Sequence, residues 1–579
     1  MALITFSDTP RQRLNKLAAQ LKNARTSYDA HWRELGEHFA PRRTRFYVED
    51  RNRGDKRHGK IINECGMLAA RTLRSGMFAG ITSPARPWRK LTTPDPDLAE
   101  FGRVKTWLQQ VNKNMRTLDV RSNLYNAIPT VFGDAGVFAS PAMGVFDDDE
   151  DGFRCFNFPL GSYWLACNQR NVVDTFMRDF QLTVRQVVMM FGDLRASEKD
   201  KWKNFSSVIK NAWDKGMYEQ PVTVTHILYP NVEHNPKLLD AKYKRFSSCY
   251  FESAGSVTGS TQGGFSAGTA EGFLRESGMK RFCILAPRWD VTGEDVYGTS
   301  CPGMDALGST KEVQVMEKKK SQAIAKQLNP PLKGPPSLRN QRVSLIAGDI
   351  TLVDERDGKS GLSPIHDVTM RVEDVNTDIE RKERRISRAF YEDMFLMLAQ
   401  MEGIQPRNEA EIAERHEEKL LALGPVLERM NDEFLDPLTD LEFDRMQAIG
   451  MVPDPPEELA GMELRVDYES IMAKAQKLVG VAGTERFFGF VGGLAAAFPS
   501  ALEKINADEA VDEYGDMMGV SSKIILTDDQ AATLRQEKAE AQRKEKLLGA
   551  VPVLADAAKN LAASDMSTDN ALTRMLAGA

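Results

Sequence analysis

The chain has 579 residues, 42% of them hydrophobic and 27% charged, and a formal net charge of -6. Single cores stop growing near ~250 to 300 residues, so more than one domain is expected, and the composition excludes both wholesale disorder and a coiled-coil rod. The acidic balance excludes a global attraction to nucleic acid, leaving local basic patches or a cavity that tolerates DNA as the only routes to such a partner.

The N-terminus runs into a charged helical pattern at Arg11 to Lys22 without an export signal. A basic loop from Arg42 to Lys60 follows. Its Gly54-Asp55-Lys56-Arg57-His58-Gly59-Lys60-Ile61 has phosphate-loop spacing, but Ile61 stands where a hydroxyl must reach magnesium, and the charged stretch before it cannot be a buried strand. We read a basic surface loop. The apolar pattern from Cys65 to Ile81 predicts a helix, ended by Ser83-Pro84-Ala85-Arg86-Pro87. Helices are expected over Asp97 to Met115 and Asn123 to Phe132, the latter leading through Gly133 to Gly136 into a strand from Val137 to Phe146.

To about residue 300 the signal is mostly β: Tyr163 to Cys167, Asp174 to Leu182, Val222 to Tyr229, Arg245 to Phe251 and Arg281 to Ala286, interrupted by a helix from Thr183 to Phe191. The run Asp147 to Gly152 reads as a hairpin turn, since its spacing does not match a calcium loop. Ser253 to Gly272 reads as a flexible excursion; its Gly264-Phe265-Ser266-Ala267-Gly268 has nucleophile-elbow spacing but loop on both flanks. The six cysteines are scattered, without metal-ligand spacing, and fit reduced thiols. No metal or cofactor is expected. His366 and His416 receive no catalytic role.

The middle of the chain is the most informative. Ser309 and Glu312 have capping-box spacing and open a helix of about 20 residues, roughly 30 Å long, with Val313, Met316, Ile324 and Leu328 on one face. It stops at Asn329-Pro330-Pro331. A small hairpin module follows, with strands Val343 to Ile346 and Ile350 to Val353. A second long helix is expected from Val368 to Phe390, then the methionine-rich linker Met394 to Gly403, then a third helix capped by Asn408 and bent at Gly424-Pro425. A strand is expected around Glu463 to Val466, with helices beyond; the apolar stretch Phe487 to Leu502, interrupted by three glycines and Pro499, is too short and broken to span a membrane and reads as buried core.

The order long helix, small β module, long helix, apolar loop, kinked helix resembles the head-to-tail connectors, or portal proteins, of short-tailed bacteriophages similar to the T7 group. Tyr297-Gly298-Thr299-Ser300 ahead of Gly303 to Gly308 is similar to the turn that introduces their first stem helix. Gly66 to Leu91 and Asn123 to Phe146 resemble their N-terminal wing elements. The resemblance extends over roughly residues 10 to 470.

It implies a mainly helical α+β fold of wing, stem, clip and crown, assembled as a homo-oligomeric ring, typically of twelve subunits, at one capsid vertex. The corresponding segments are a wing at 1–300, stem helices at 301–329 and 368–392, a clip at 330–367, a tunnel loop at 393–407, a kinked helix and wing return at 408–474, and a crown or helical region at 475–579. The implied partners are double-stranded DNA without sequence specificity, a terminase, tail adaptors, and the major capsid and scaffold proteins, with no membrane insertion. Its place would be the virion, after synthesis in the host bacterial cytoplasm.

Candidate channel-lining groups are Lys318, Lys319, Lys320, Lys326, Arg381, Lys382, Arg384, Arg385 and Arg388, for which the alternative is pairing with carboxylates of the same helices or of neighbouring subunits. Met394, Phe395, Met397, Gln400 and Met401 would form the tunnel loop, unless they are ordinary core. Lys333, Arg339 and Arg342 would lie in the clip. The competing readings are a non-portal virion adaptor or scaffold and a DNA-processing enzyme; the second needs a metal-carboxylate cluster or phosphate loop that the sequence does not supply.

Overall fold

The structure, a computed structural model, describes residues 9–48, 54, 56–57, 59–95, 98–99, 101–192, 201–202, 204–253, 273–328, 332–333, 363–364, 372–400, 423–459 and 461–468, with short stretches between 487 and 541. It divides into units of residues 1–473 and 474–579.

The first unit opens with α1 (Pro10–Phe39). Thr9 accepts from the Gln12 amide at 3.3 Å, the Gln12 side chain accepts from the Thr9 amide at 3.0 Å, and Pro10 takes the first turn, where no N–H is needed. Then come α2 (Cys65–Ile81), β1 (Arg89–Thr92), α3 (Gly102–Arg121) and α4 (Leu124–Phe138). The helix α4 runs six residues past its expected end at Phe132, through Gly133 and Gly136, and stops where Ala139 turns left-handed at φ 65°. Both glycines pack tightly, because a Cβ on Gly136 would meet the Leu73 side chain at 2.0 Å and one on Gly133 would meet Arg74 at 3.2 Å. They mark helix packing here, not a loop, and the strand expected from Val137 begins only at Met143.

The β region comprises β2 (Met143–Asp148), β3 (Gly152–Asn157), β4 (Tyr163–Cys167), β5 (Val173–Thr183), the helices α5 (Val184–Phe191) and α6 (Ser207–Asp214), then β6 (Pro221–Pro230), β7 (Phe246–Glu252), β8 (Arg275–Met279) and β9 (Ile284–Leu285). Strands β4 to β8 form an antiparallel sheet in sequence order, and β3-β2-β9 form a second sheet. Alternation along β6 sends Val222 and Val224 to one face, under Val184, Val187, Val188 and Ile209, and Ile227 to the other, beside Met177 and under Leu14 and Leu21 of α1. The strand expected at Arg281 to Ala286 is only β9, while β8 escaped notice because Arg275-Glu276-Ser277-Gly278-Met279 lacks an apolar alternation.

The acidic run is the β2–β3 turn, as expected. Asp148 accepts from the Glu150 and Asp151 amides at 2.9 Å, which pulls its pKa down. Arg154 and Arg445 are the cations near it, and Arg445 donates to the Gly152 and Asp148 carbonyls at 2.6 and 2.8 Å.

The chain continues through α7 (Pro302–Leu328), β10 (Leu332–Lys333), β11 (Ser363–Pro364), α8 (Val372–Ala389) and α9 (Glu392–Gln400), and returns along helical residues 423–430, a π turn at Asn431–Leu435, α10 (Asp436–Ala448) and β12 (Arg465–Tyr468). Met430, Phe434, Leu438, Glu442 and Met446 are all buried, a spacing of four residues per turn where a regular helix has 3.6. The π turn absorbs the excess and keeps one side facing the core.

The expected strand near Glu463 is β12, and it pairs antiparallel with β1, Leu91 opposite Val466. Beside this ladder lies a buried ion cluster: Arg89 donates to Asp119 at 2.8 Å, to Thr439 at 2.7 Å, and to Glu442. Two carboxylates against one cation leave a proton to be held, and burial beside Asp119 raises the Glu442 pKa well above the usual carboxylate range.

In the second unit, Phe487, Phe490 and Phe498 are exposed, so the expectation of buried core for this stretch does not hold among the described residues; Val491 alone of the described side chains there is buried.

Replacing Arg89 by Leu leaves the acids of this cluster buried without their cation and is expected to cost about 3–5 kcal/mol in urea unfolding. Glu442→Gln, with an amide N–H in place of the held proton, should cost roughly 1 kcal/mol or less. The unfolded chain releases the Glu442 proton at the ordinary carboxylate pKa and the folded chain keeps it. Wild-type stability therefore falls as pH rises from that value towards the raised folded pKa, a slope that Glu442→Gln should flatten.

Candidate functional site: the paired helices α7 and α8

Helix α7 is longer than the capping pattern at Ser309 implied, because it starts at Pro302 and Ser309 lies inside it. The close approach of its first turn to α4 demands glycine: a Cβ on Gly303 would meet the Val137 carbonyl oxygen at 2.4 Å. The preceding turn is fixed by Tyr297, buried against Tyr28 and Trp32, whose hydroxyl accepts from the Leu165 amide at 3.0 Å. Ser300 completes it at φ 54°.

Helices α7 and α8 pack antiparallel. Glu312, in the first half of α7, pairs with Lys382, in the second half of α8, at 2.6 Å. Beyond the other ends, β10 and β11 form an antiparallel ladder that joins the pair. Ile379 and Ile386 of α8 and Val313 of α7 supply the buried side.

The chain entering α2 ties the pair to the body. The Gln314 carbonyl oxygen accepts from the Ile62 and Asn63 amides at 2.6 and 2.8 Å, and its amide donates to the Asn63 carbonyl at 2.8 Å. The Asn63 side chain donates to Glu383 at 2.7 Å and accepts from the Cys65 amide at 2.9 Å. Below this knot Phe39 and Phe390 meet with ring centres 5.3 Å apart. Burial, with Glu383 and Glu392 nearby, pushes the Cys65 thiol up to about 11.

The nine candidate basic residues divide into two sets. Lys320 pairs with Glu317 at 2.7 Å, Lys382 with Glu312, and Arg384 with Glu380 at 3.6 Å. Lys318, Lys319, Lys326, Arg381, Arg385 and Arg388 are exposed. On α8, at 100° per residue, Arg381, Arg385 and Arg388 fall on the side away from Ile379 and Ile386, hence away from α7.

The segment expected to be a loop from residue 393 begins as helix α9. Met394 and Phe395 are core, 1% and 4% exposed. Phe395 lies on Gly76 of α2, where a Cβ would meet its ring at 2.1 Å, so an apolar run that could have faced a cavity is held by a glycine notch. Met397 and Gln400 belong to this helix, with side chains outside the described set. Met401, Arg339, Arg342, His366, His416, the Asn408 cap, the hairpin at 343–353 and the Gly/Ser-rich excursion lie outside the described residues; Lys333 is in β10. No group of carboxylates, cysteines and histidines able to hold a metal occurs among the described residues. Burial raises the thiol pKa values of Cys155, Cys249, Cys283 and Cys301, and it drives His226 well below its usual value, so none of these is a ready nucleophile or base.

The sequence pattern of the family described as "Bacteriophage head to tail connecting protein" matches residues 11–526. The chain is 43% identical, over 98% of both chains, to the portal protein of Salmonella phage epsilon15, and 38% identical, again over 98% of both, to the probable portal protein of Bordetella phage BPP-1. The chain belongs to the bacteriophage head-to-tail connector family. Its role is therefore that of a structural portal subunit at a phage capsid vertex, the place where DNA is packaged and later released. Among the described residues no helix is long and apolar enough to cross a membrane.

In this connector the groups that position the helix pair, Asn63, Gln314 and Glu383, are not the ones that sequence reasoning selected. Their one signal was a polar residue, Gln314, on the buried side of α7 beside Val313. Gln314→Leu leaves two amides and a carbonyl without partners. It is expected to destabilise the fold by about 1–3 kcal/mol for each group that water cannot reach, read as a lowered midpoint in denaturant.

Proposed function

We propose that this connector chain assembles as a closed ring in which α7 and α8 form the stem of a DNA channel, with the segment between them as the clip. The observation that carries the reading is the antiparallel helix pair, anchored to the body at one end by the Gln314 knot and joined at the other by the β10–β11 ladder. In such a pair the connecting segment leaves and returns, through residues 332–333 and 363–364, at the end away from the Gln314 knot. Family membership supplies the context: a packaging motor would meet that segment while DNA enters, and tail adaptors afterwards.

Arg381, Arg385 and Arg388, on the side of α8 away from α7, are the groups we assign to the channel wall. Three guanidinium groups per subunit on an otherwise acidic chain give phosphates a weak, repeated contact instead of a tight cage, which suits a duplex that must slide. A dodecameric ring is the expected closed form.

Negative-stain images of the purified full chain should show end-on rings with a central hole wide enough for duplex DNA, near twelve-fold in symmetry. Closed particles without a channel would favour an adaptor role. Replacing Arg381, Arg385 and Arg388 together by Gln should leave ring formation intact and reduce the DNA retained in filled heads, with a weaker dependence of that retention on salt.

A further inference from the structure

The paired helices carry different chemistry on their two flanks, and two contacts already described label those flanks. Glu312 with Lys382 marks one, and Gln314 with Asn63 and Glu383 marks the other, since residues two apart on a helix lie 200° apart around its axis. Running along α7 in the row of Glu312 are Val315, Lys319, Gln322 and Lys326, spaced three, four, three and four residues apart and all exposed, Val315 by 51%. This is a basic stripe with an apolar foot.

On the opposite flank, beside Asn63, there is an open cleft between α8 and the start of α2. Ile62, Glu64, Leu68, Glu380, Glu383, Arg384 and Glu392 line it, with Ile62 and Leu68 exposed by 54% and 44%; four carboxylates outnumber the one guanidinium, which pairs with Glu380. The cleft is acidic with an apolar floor. The two flanks are opposite in charge and each offers apolar surface for the other to cover, yet they lie on opposite sides of the helix pair and cannot meet within the chain.

We infer that the acidic cleft of one copy receives the Val315–Lys326 stripe of the next copy. Two different, mutually complementary patches on opposite flanks are what a head-to-tail contact requires, and repetition of such a contact closes a ring when the rotation per step divides the circle. The occupant is a second copy of this chain because the complementary charges sit on the two paired helices: α7 carries the stripe, α8 supplies Glu380 and Glu383 to the cleft, and the register of Glu312 with Lys382 sets the Val315 end of the stripe level with those acids. Arg381, Arg385 and Arg388 lie on neither contact row and remain free for the channel. The inference rests on the ring reading above and adds to it the surfaces through which the ring closes.

The test uses two full-length variants, K319E/K326E, which makes both flanks acidic, and E64K/E380K, which makes both basic. Each alone should lose rings in sedimentation velocity and negative stain while keeping the wild-type circular dichroism spectrum. Mixed in equal amounts, they should recover rings, because the acidic stripe of the first now fits the basic cleft of the second, and the wild-type stripe of the second fits the wild-type cleft of the first. A single chain carrying all four changes should also form rings. Recovery on mixing cannot come from misfolded protein. Rings that persist in either variant alone, or variants that stay ringless when mixed, overturn the inference while wild-type rings keep the portal reading intact; absence of rings in the wild type overturns the ring reading itself.

Discussion

The arrangement of the whole first unit depends on how two long helices are held at one fixed point. Two helices can slide and rotate against one another when their contact is aliphatic, and the buried aliphatic side chains of α7 and α8 include Val313, Ile379 and Ile386. Gln314 removes that freedom, because its amide reads the backbone of residues 62 and 63 in both directions, as a neighbouring strand would. Asn63 then passes the constraint to α8 through Glu383. Gln314 and Asn63, each donating and accepting, convert an aliphatic contact into a defined geometry. The surfaces on both flanks inherit their spacing from it.

Much of the fold is legible in the sequence, for physical reasons. The strands β4 to β7 announce themselves as apolar and β-branched runs because both faces of the sheet are covered, by α1 on one side and α5 and α6 on the other. The Asp147–Gly152 turn and the early helices follow from local chemistry that needs no tertiary information. What misleads is glycine. Gly133 and Gly136 read as the passage out of a helix, and each, like Gly76 and Gly303, is a place where another side chain or backbone comes close to where a Cβ would stand. That is a property of the partner, invisible along the chain. The methionine-rich segment fails for the same reason: its apolar residues suit a channel loop or a core equally, and only the notch at Gly76 decides for Met394 and Phe395.

The candidate charges were legible as a set and illegible one by one. Three of the nine basic residues are consumed within the chain, and the partners, Glu312, Glu317 and Glu380, were visible only as a general excess of acids on the same helices. Separating the remaining lysines of α7 from the arginines of α8 needs the axis that joins the two helices, which no periodicity provides. The family resemblance, read from element order over residues 10 to 470, is carried by the comparisons across residues 11–526 and by relatives of matching length, so it extends beyond residue 470.

The β1–β12 ladder and the Arg89 cluster bind residues near 90 to residues near 442 and 468. On a ribosome these are made far apart in time. At ~5–20 residues per second, roughly 20–70 s separate the emergence of Arg89 from that of Glu442. During that interval β1 is an edge without a neighbour, and Arg89 has Asp119 but not its second acid. The β1–β12 ladder cannot form until most of the chain has been translated. The residues of the Gln314 knot are all made once Glu383 has emerged, so the geometry of the helix pair can be set before the ladder at residues 465–468 is synthesised.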